Sequence, residues 1–284
     1  MGEEPANASS YSVYVYPSLD GVLRYEIVGD KNVRYPIEEM LQKDRKEVKI
    51  GIFMIRHHNV WLPAEGSKNQ FELRELEDCD ELDETLIPEV VRLVAECCPE
   101  EGLEEGAIQL KPDFHTIQDR FMSEILKFDL KAKDFTIYLS TPLSETYVTK
   151  LLQSDTLCKI EVGFHTFDGG FTTALGEPLR EFILAGKNRI VYFCGSPAFD
   201  GDYFKDVIIS WKSIPSPARS YVVLETNGAI KPFFDSWTTP SDNLDGPFHS
   251  YLMHDNGKNY VKIGCSEQDC ELQFTNVDDE PLPE

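Results

Sequence analysis

The fold is decided by residues 114–225, whose central part reads FTIYLSTPLSETYVTKLLQSDTLCKIEVGF at 135–164. Its first five residues alternate apolar and polar side chains, which is the period of a β-strand. The apolar side chains that then recur at helical spacing are Val148, Leu151 and Leu152. Ser144 is a suitable N-cap for that helix, and a second alternating run begins at Cys158. The stretch therefore predicts a strand, a helix and a strand.

The same order of helix and strand occurs four times within this region. The apolar side chains that share one helical face in the first, third and fourth repeats are Ile117, Phe121 and Ile125; Leu175, Leu179, Phe182 and Ile183; and Phe204, Val207, Ile208 and Trp211. The strand-like runs of the last two repeats are IVYFC at 190–194 and YVVL at 221–224. Successive strands start roughly 23 to 31 residues apart, which leaves room for one helix between them.

Strands that are connected by single helices run parallel, because the crossover returns the chain to the same end of the sheet. An irregular period of this length is typical of leucine-rich-repeat solenoids, in which each repeat buries its apolar face against its neighbours. We therefore predict an α/β fold of irregular helix–strand repeats, arranged as a leucine-rich-repeat-like curved stack. The consensus asparagine ladder of such repeats is absent. An ordinary doubly wound α/β sheet is the alternative.

Both ends of the chain predict antiparallel strands. Residues 12–28 alternate on either side of a turn and predict an N-terminal hairpin, and a short helix and a strand at 48–54 follow it. Towards the C terminus, Asn256-Gly257 separates two strand-like runs, because this dipeptide suits the positive φ of a tight turn. A third alternating run lies at 270–274. We expect these strands to form an antiparallel β cap.

These patterns divide the chain into six parts. They are a disordered lead at 1–10, an N-terminal hairpin with a helix–strand unit at 11–62, an acidic loop at 63–85, the α/β repeat region at 86–232, a connection with the C-terminal β meander at 233–274, and an acidic tail at 275–284. The acidic loop is predicted because eight of the thirteen residues from Glu72 to Glu84 are acidic. Like charges at this density repel each other and stay solvated. Docking of a basic partner is the functional alternative for this segment.

The composition limits the classes of partner. The chain has 284 residues and a net charge of −23, with 50 acidic residues against 27 basic ones. Nucleic acids and anionic membrane surfaces attract basic proteins, so we expect neither as a partner. No apolar run is long enough to cross a bilayer, and the acidic, polar N terminus does not match a signal peptide. We expect an intracellular protein, cytoplasmic or nuclear, in which the seven cysteines are reduced.

One group of residues resembles a metal-binding pattern. His249 and His254 precede Cys265 and Cys270, and zinc accepts both nitrogen and sulfur ligands. Structural zinc sites favour tighter spacings, and in a β meander these side chains can face opposite sides of the sheet. His57-His58 lies at a strand end, where neighbouring side chains point in opposite directions. We therefore predict no metal ligand and no cofactor.

One cysteine is a candidate nucleophile. Cys194 ends an apolar strand and is followed by a Gly-Ser turn, a position that nucleophiles occupy in α/β enzymes. The Gly-x-Ser-x-Gly spacing is missing, and no histidine or aspartate can be assigned as its base. Cys158 and Cys194 both fall in apolar strands, where cysteine behaves as a small hydrophobe. We therefore assign no catalytic residue, and an α/β hydrolytic enzyme that uses a cysteine nucleophile is the alternative function.

Several segments together resemble the nematode F-box-associated protein families. The entry segment is similar in YSVYVYPSLDGVLRYE at 11–26 and YPIEEMLQKDRKEVKIGIFMI at 35–55. The repeat region is similar in YVTKLLQSDTLCKIEVGF at 147–164, LREFILAGKNRIVYFCGS at 179–196 and YFKDVIISWKS at 203–213. The closing strands are similar in YLMHDNGKNYVKIGC at 251–265 and CELQF at 270–274. The likeness extends from about residue 11 to residue 274.

The resemblance implies a non-enzymatic protein–protein interaction module. In those families the α/β repeat region selects a target protein, and an N-terminal F-box binds the linker subunit of a cullin ubiquitin ligase. Only about ten polar residues precede the first predicted strand here, which is too few for an F-box. We therefore expect binding of a protein target, as the substrate-recognition part of a ubiquitin-ligase adaptor or as a degenerate paralogue of one. The families have no catalytic residues to transfer.

Overall fold

The protein is a mixed α/β structure whose chain divides into two compact units, Met1–Tyr147 and Val148–Glu284. The computed structural model describes residues 9–17, 22–56, 79–164, 173–185, 188–194, 199, 201–225, 234, 238–240, 247–265 and 269–279. Each unit contains a sheet in which parallel strands alternate in sequence with helices and antiparallel strands follow on one side. No helix in these ranges is long and apolar enough to cross a membrane.

The first unit is built on parallel strands. Its strands are β1 Ser9–Pro17, β2 Leu23–Val28, β3 Arg34–Tyr35, β4 Val48–Arg56, β5 Asp80–Leu82, β6 Leu103–Gln109 and β7 Ala132–Leu139. Its helices are α1 Ile37–Gln42, α2 Ile87–Cys97 and α3 His115–Phe128, and α4 Pro142–Leu152 contains the boundary between the units. The strand order is β3-β2-β1-β4-β6-β7, with β5 also on β2. The strands β1, β4, β6 and β7 pair in parallel, and β2 pairs antiparallel with β1, β3 and β5.

The second unit combines a parallel part with an antiparallel part. Its strands are β8 Lys159–Phe164, β9 Arg189–Cys194, β10 Ser220–Glu225, β11 Thr239–Pro240, β12 Ser250–Met253, β13 Asn259–Cys265 and β14 Asp269–Asn276. Its helices are α5 Gly176–Leu184 and α6 Gly201–Lys212. The strands β8, β9 and β10 pair in parallel. From β10 the antiparallel order is β14, β13, β12 and β11.

The elements predicted from the sequence are present. The four predicted helix–strand repeats correspond to α3–β7, α4–β8, α5–β9 and α6–β10, and parallel pairing is confirmed within each unit. The N-terminal hairpin is confirmed by the antiparallel pairing of β1 with β2. The C-terminal meander is confirmed by the antiparallel pairing of β12, β13 and β14.

The predicted N-cap of α4 is wrong by three residues. Thr141 precedes the helix, and the Ser144 amide donates a hydrogen bond to Thr141 Oγ1 at 3.3 Å. The Thr141 amide donates in return to Ser144 Oγ at 3.1 Å. The pair forms a reciprocal cap of the helix start, in which Ser144 supplies the second half. Pro142 fits the first helical position because its missing N–H needs no partner there.

Part of the predicted acidic loop is a strand. Asp80–Leu82 pairs antiparallel with β2 as strand β5. Leu82 is buried, whereas Asp80 and Glu81 are exposed to solvent. Arg24 on β2 lies 3.7 Å from Glu81 and offsets part of the acidic charge. The rest of that segment up to residue 78 lies outside the described residues, as do residues 1–8 of the predicted disordered lead at 1–10. The last two residues of that lead, Ser9 and Ser10, instead belong to β1, where they pair with β4. At the other end, β14 extends to Asn276, two residues into the predicted tail.

Helices cover one face of each sheet. In the first unit the ring of Phe135 on β7 meets that of Tyr147 on α4, with centroids 5.4 Å apart. In the second unit Ser220 Oγ donates to the Ile183 carbonyl of α5, and the ring of Trp211 on α6 lies 5.4 Å from that of Phe274 on β14. The strand residues on the same face as these contacts are mostly buried, whereas those that alternate with them and point to the opposite face are mostly half-buried. The two faces therefore differ in environment.

Of the two cysteines predicted inside buried strands, Cys158 differs from that expectation. Cys158 directly precedes β8 and is exposed. The alternating pattern continues one residue beyond the strand, to the amino end of the sheet, where burial no longer follows it. Cys194 is the last residue of β9, and its side chain lies outside the described part of the structure.

Candidate interaction surface

A tyrosine-rich surface occupies the face of the first sheet that is opposite the helices. We call it the tyrosine face, and its residues are Tyr14, Tyr16, Arg24, Glu26, Val28, Ile52, Met54, Arg56, Glu105 and Ala107. The strand register places them together, since Tyr14 pairs with Glu26 on β2 and with Met54 on β4. Met54 in turn pairs with Ala107 on β6. Side chains that are paired across strands lie on the same face of a sheet, so four strands contribute to one surface.

The centre of the tyrosine face is apolar. Tyr14, Met54 and Ala107 are buried and form one cluster, with Tyr16, Val28 and Ile52 packed against it. The rings of Tyr14 and Tyr16 are stacked, with centroids 6.4 Å apart and planes 8° from parallel. Tyr16 is half-buried, so part of its side chain remains exposed to solvent. Tyrosine suits such a position since its ring is apolar and its hydroxyl is polar.

Charged side chains surround this apolar centre. The Tyr16 hydroxyl donates to Glu26 Oε1 at 3.0 Å, and Arg34 Nε lies 3.3 Å from the other oxygen of the same carboxylate. On the far side, Arg56 Nη2 lies 3.7 Å from Glu105 Oε1. Burial raises the pKa of Tyr16, and the neighbouring Glu26 carboxylate raises it further. The Tyr16 hydroxyl therefore keeps its proton at physiological pH and acts as a hydrogen-bond donor.

The corresponding face of the second unit is also aromatic. The rings of Tyr192 on β9 and Tyr221 on β10 meet edge to face, with centroids 5.9 Å apart. The Tyr221 hydroxyl donates to Glu271 Oε2 at 2.7 Å, and burial followed by this hydrogen bond raises the pKa of Tyr221. Ile190 is 38% exposed beside them, which is unusual for an isoleucine on a strand. Aromatic side chains, a carboxylate and an exposed aliphatic group thus lie together here too.

A cleft of about 390 Å³ lies elsewhere in the first unit, where α2 begins beside α3. Glu84 and Arg120 lie in its wall and form an ion pair. Oδ1 of Asp119 is enclosed in the same wall and has no hydrogen-bond partner among the described residues. His115, Thr116 and Ser123 line the same cleft, so acidic, basic and hydroxyl groups share it.

The structure places two residues of the zinc-like pattern in contact and engages a third elsewhere. His254 is buried, its Nδ1 accepts a hydrogen bond from the Asn256 amide at 3.1 Å, and its Nε2 lies 3.2 Å from the Trp211 carbonyl. Because Nδ1 accepts, the proton is on Nε2, which donates to that carbonyl. Both nitrogens are engaged, so His254 is not placed to bind a metal. Cys265 and Cys270 instead lie opposite each other, with their sulfurs 3.6 Å apart.

The other candidate residues fall on parts of the chain that the structure leaves undescribed. His57 and His58 follow β4 there, and so do Gly195 and Ser196 after Cys194. Within the described ranges, no group of three or more His, Cys, Asp and Glu side chains is arranged to hold a metal ion.

Comparison of the chain with models of protein families, with curated proteins and with solved structures finds no match.

The tyrosine face was not identified from the sequence, although a signal was present. The strand β1 reads SSYSVYVYP, in which the valines and the tyrosines occupy alternating positions. A strand whose two faces are both apolar or aromatic has a second surface that needs a partner or partial burial. The tyrosines of β1 were that signal, and only the register with β2 and β4 shows which charged groups accompany them.

Proposed function

We propose that this protein is a non-enzymatic protein-interaction module and that its first unit binds a protein target through the tyrosine face. The observation that supports the proposal most is the combination, on one sheet face, of a half-buried tyrosine stacked on a buried one with arginines beside them. Tyrosine and arginine are enriched at the energetically dominant positions of protein interfaces. A rigid sheet holds them in place before binding, so little conformational entropy is lost when a partner docks.

The charges of the tyrosine face favour a protein over a charged polymer. Three arginines, Arg24, Arg34 and Arg56, each lie within 4 Å of a glutamate carboxylate on the same face or at its edge. The surface is therefore nearly balanced in charge, although the whole chain carries −23. A balanced surface with an apolar centre and a polar rim fits a protein partner that is recognised by shape and hydrogen bonds.

We further propose that the helix–strand repeats within each unit stack in the manner of leucine-rich repeats. The helical contacts on a single sheet face support this arrangement, because a doubly wound sheet has helices on both faces. In solenoid proteins the surface formed by successive strands is a common binding surface. The resemblance to F-box-associated proteins then makes the bound protein a ubiquitin-ligase substrate, with this chain as the recognition part of an adaptor or a paralogue of one.

The test is quantitative affinity capture from native lysate, with the full chain as bait. Wild-type protein is compared with Tyr16→Ala and Arg56→Glu, which change the aromatic centre and the rim of the tyrosine face. Arg92→Glu is the matched control, since Arg92 is exposed on α2, on the helical side of the same unit. We expect to capture a protein partner, called the client below, whose recovery falls at least about tenfold with Tyr16→Ala and with Arg56→Glu. Its recovery should stay unchanged with the control, because a single anchor residue can contribute about a tenfold change in affinity to an interface.

Thermal unfolding of each variant shows that the loss of the client is not a loss of the fold. Equal client recovery by folded wild-type and face variants would contradict the tyrosine face as the binding surface. Recovery of cullin-ligase linker subunits with the client supports the adaptor role. A client without those subunits supports a binding module that is separate from a ligase.

A further inference from the structure

The second unit contains a pair of thiols that the proposed function does not use. Cys265 is the last residue of β13, and the antiparallel register places it directly opposite Cys270 on β14. The Sγ atoms lie 3.6 Å apart. Cys265 is partly exposed, whereas Cys270 is buried. One sulfur of the pair is thus accessible to a reagent in solution, and the other lies in contact behind it.

The backbone at this position already meets the requirements of a disulfide. Opposed residues of an antiparallel pair have Cα atoms about 4.5 to 5.5 Å apart. A disulfide needs Cα atoms roughly 4.4 to 6.8 Å apart and a sulfur–sulfur bond of about 2.0 Å. The two sulfurs must therefore approach by roughly 1.5 Å, which side-chain rotation supplies without moving either strand.

We infer that Cys265 and Cys270 form a reversible thiol–disulfide site that reacts with small disulfides such as oxidised glutathione. The Cys265 thiolate attacks one sulfur of the small disulfide and releases one glutathione thiolate, which leaves a mixed disulfide on Cys265. Cys270 loses its proton and attacks the Cys265 sulfur, and the second glutathione leaves. The two protein thiols lose two electrons and two protons in total, and oxidised glutathione is reduced to two molecules of glutathione.

The site lies where the parallel and antiparallel parts of the second unit meet. Cys270 pairs with Leu224 near the carboxyl end of β10, and Cys265 is on the next strand of the meander. A disulfide here joins β13 to the strand that borders β10. If the fold holds the two sulfurs close together, folding raises the equilibrium constant for disulfide formation. By thermodynamic linkage, the disulfide must raise the equilibrium constant for folding by the same factor.

The test uses the wild-type full chain in glutathione buffers that range from reducing to oxidising. After acid quenching and trypsin digestion, the peptide Ile263–Glu284 contains both cysteines and no other, because no Lys or Arg follows Lys262. The peptide Leu151–Lys159 contains only Cys158 and reports ordinary glutathione exchange at an exposed thiol. The same titration in urea gives the equilibrium constant for disulfide formation in the unfolded chain.

We expect the 263–284 peptide to lose about 2 Da, as two hydrogens leave on disulfide formation. The equilibrium constant for this disulfide should be at least about tenfold larger in the folded chain than in urea, because the fold holds the sulfurs in place. The oxidised protein should also unfold at a higher temperature. An equal or smaller constant in the folded chain, or a glutathione adduct on Cys265 without the internal disulfide, would overturn the inference.

Two variants assign the order of the steps. In Cys270→Ser the mixed disulfide on Cys265 cannot be resolved, so the peptide should gain one glutathione. In Cys265→Ser the accessible sulfur is absent, and the buried Cys270 should remain reduced. Cys265→Ser changes only a partly exposed residue, so this variant still tests the inference if Cys270→Ser does not fold. Full oxidation of Cys270 in folded Cys265→Ser would contradict the assigned order and the pairing.

Discussion

In strand β1, Val13 and Val15 point towards the helices, whereas Tyr14 and Tyr16 point away from them, so the two faces of the first sheet differ in composition. On the covered face, Val15 is fully buried and belongs to a core of aliphatic and aromatic side chains. On the tyrosine face, Tyr16 is half-buried and its hydroxyl is engaged by a carboxylate. The two faces of the same strands thus serve two purposes. The covered face contributes stability, and the half-buried residues of the tyrosine face contribute a surface around its buried centre of Tyr14, Met54 and Ala107.

The largest test of this contrast removes one ring from each face of β7. Phe135→Ala should lower the free energy of unfolding by about 3–5 kcal/mol, because a fully buried ring leaves a cavity. Tyr138→Ala removes a ring of similar size from the half-buried face of the same strand and should cost about 1 kcal/mol. Urea unfolding of both variants measures the difference. Equal losses would show that both faces of β7 are packed as core.

The next test concerns the space that Phe135 occupies. A Cβ added to Gly106 on β6 would lie 2.5 Å from the Phe135 ring, far inside contact distance. Gly106→Ala should therefore lower the free energy of unfolding by about 1–3 kcal/mol through overpacking. Phe135→Leu in the same chain should recover part of that loss, because the smaller side chain makes room. A double-mutant cycle measures this coupling, and strictly additive effects would contradict the close approach.

The covered face of the second unit includes a buried charged side chain. Arg189, the first residue of β9, is only 3% exposed, and its guanidinium lies 4.2 Å from the Phe182 ring centre. Nε and Nη1 are enclosed without a hydrogen-bond partner among the described residues, and burial lowers the pKa of the side chain. An arginine in this position costs desolvation energy that the ring contact offsets only in part.

Arg189→Met should accordingly raise the free energy of unfolding by about 1 kcal/mol, because a flexible apolar side chain of similar length replaces a buried charge. The matched control is Arg92→Met on the exposed side of α2, which should change stability by less than about 0.5 kcal/mol. Urea unfolding of the two variants tests the sign. A clear loss of stability in Arg189→Met would mean that the guanidinium has a stabilising partner.

The covered face could be predicted from the sequence and the tyrosine face could not, for a physical reason. Burial against a helix leaves a periodic apolar pattern in each element separately, so the stripe of α6 and the alternation of β7 were visible in the sequence. The tyrosine face depends on register between strands. Arg56 meets Glu105 because β4 pairs in parallel with β6, and the chain between them includes a long segment and a helix. No local pattern contains that information. The prediction that Cys158 lies inside a buried strand was wrong for a related reason, since the periodicity of a sequence does not show where the sheet ends.

The last effect separates covered thiols from exposed ones by pH. Burial raises the pKa of Cys97 and of Cys98, at the end of α2, to about 11. In the unfolded chain these thiols ionise near their ordinary value, so above it the unfolded state binds fewer protons than the folded state. The free energy of unfolding should therefore fall as the pH rises from about 9 to about 11, and stay unaffected by these groups below that range.

Alkylation at pH 8 measures the same contrast in the native protein. The thiolate is the reactive form, so Cys97 and Cys98 should react slowly while the chain is folded. Cys158 is exposed and should react first, and trypsin places it in a separate peptide from the other two. A Cys97→Ala, Cys98→Ala chain should lose the alkaline fall in stability, whereas Cys158→Ala should keep it. If the fall persists without Cys97 and Cys98, other groups cause it, and the helical layer does not protect these two thiols from ionisation.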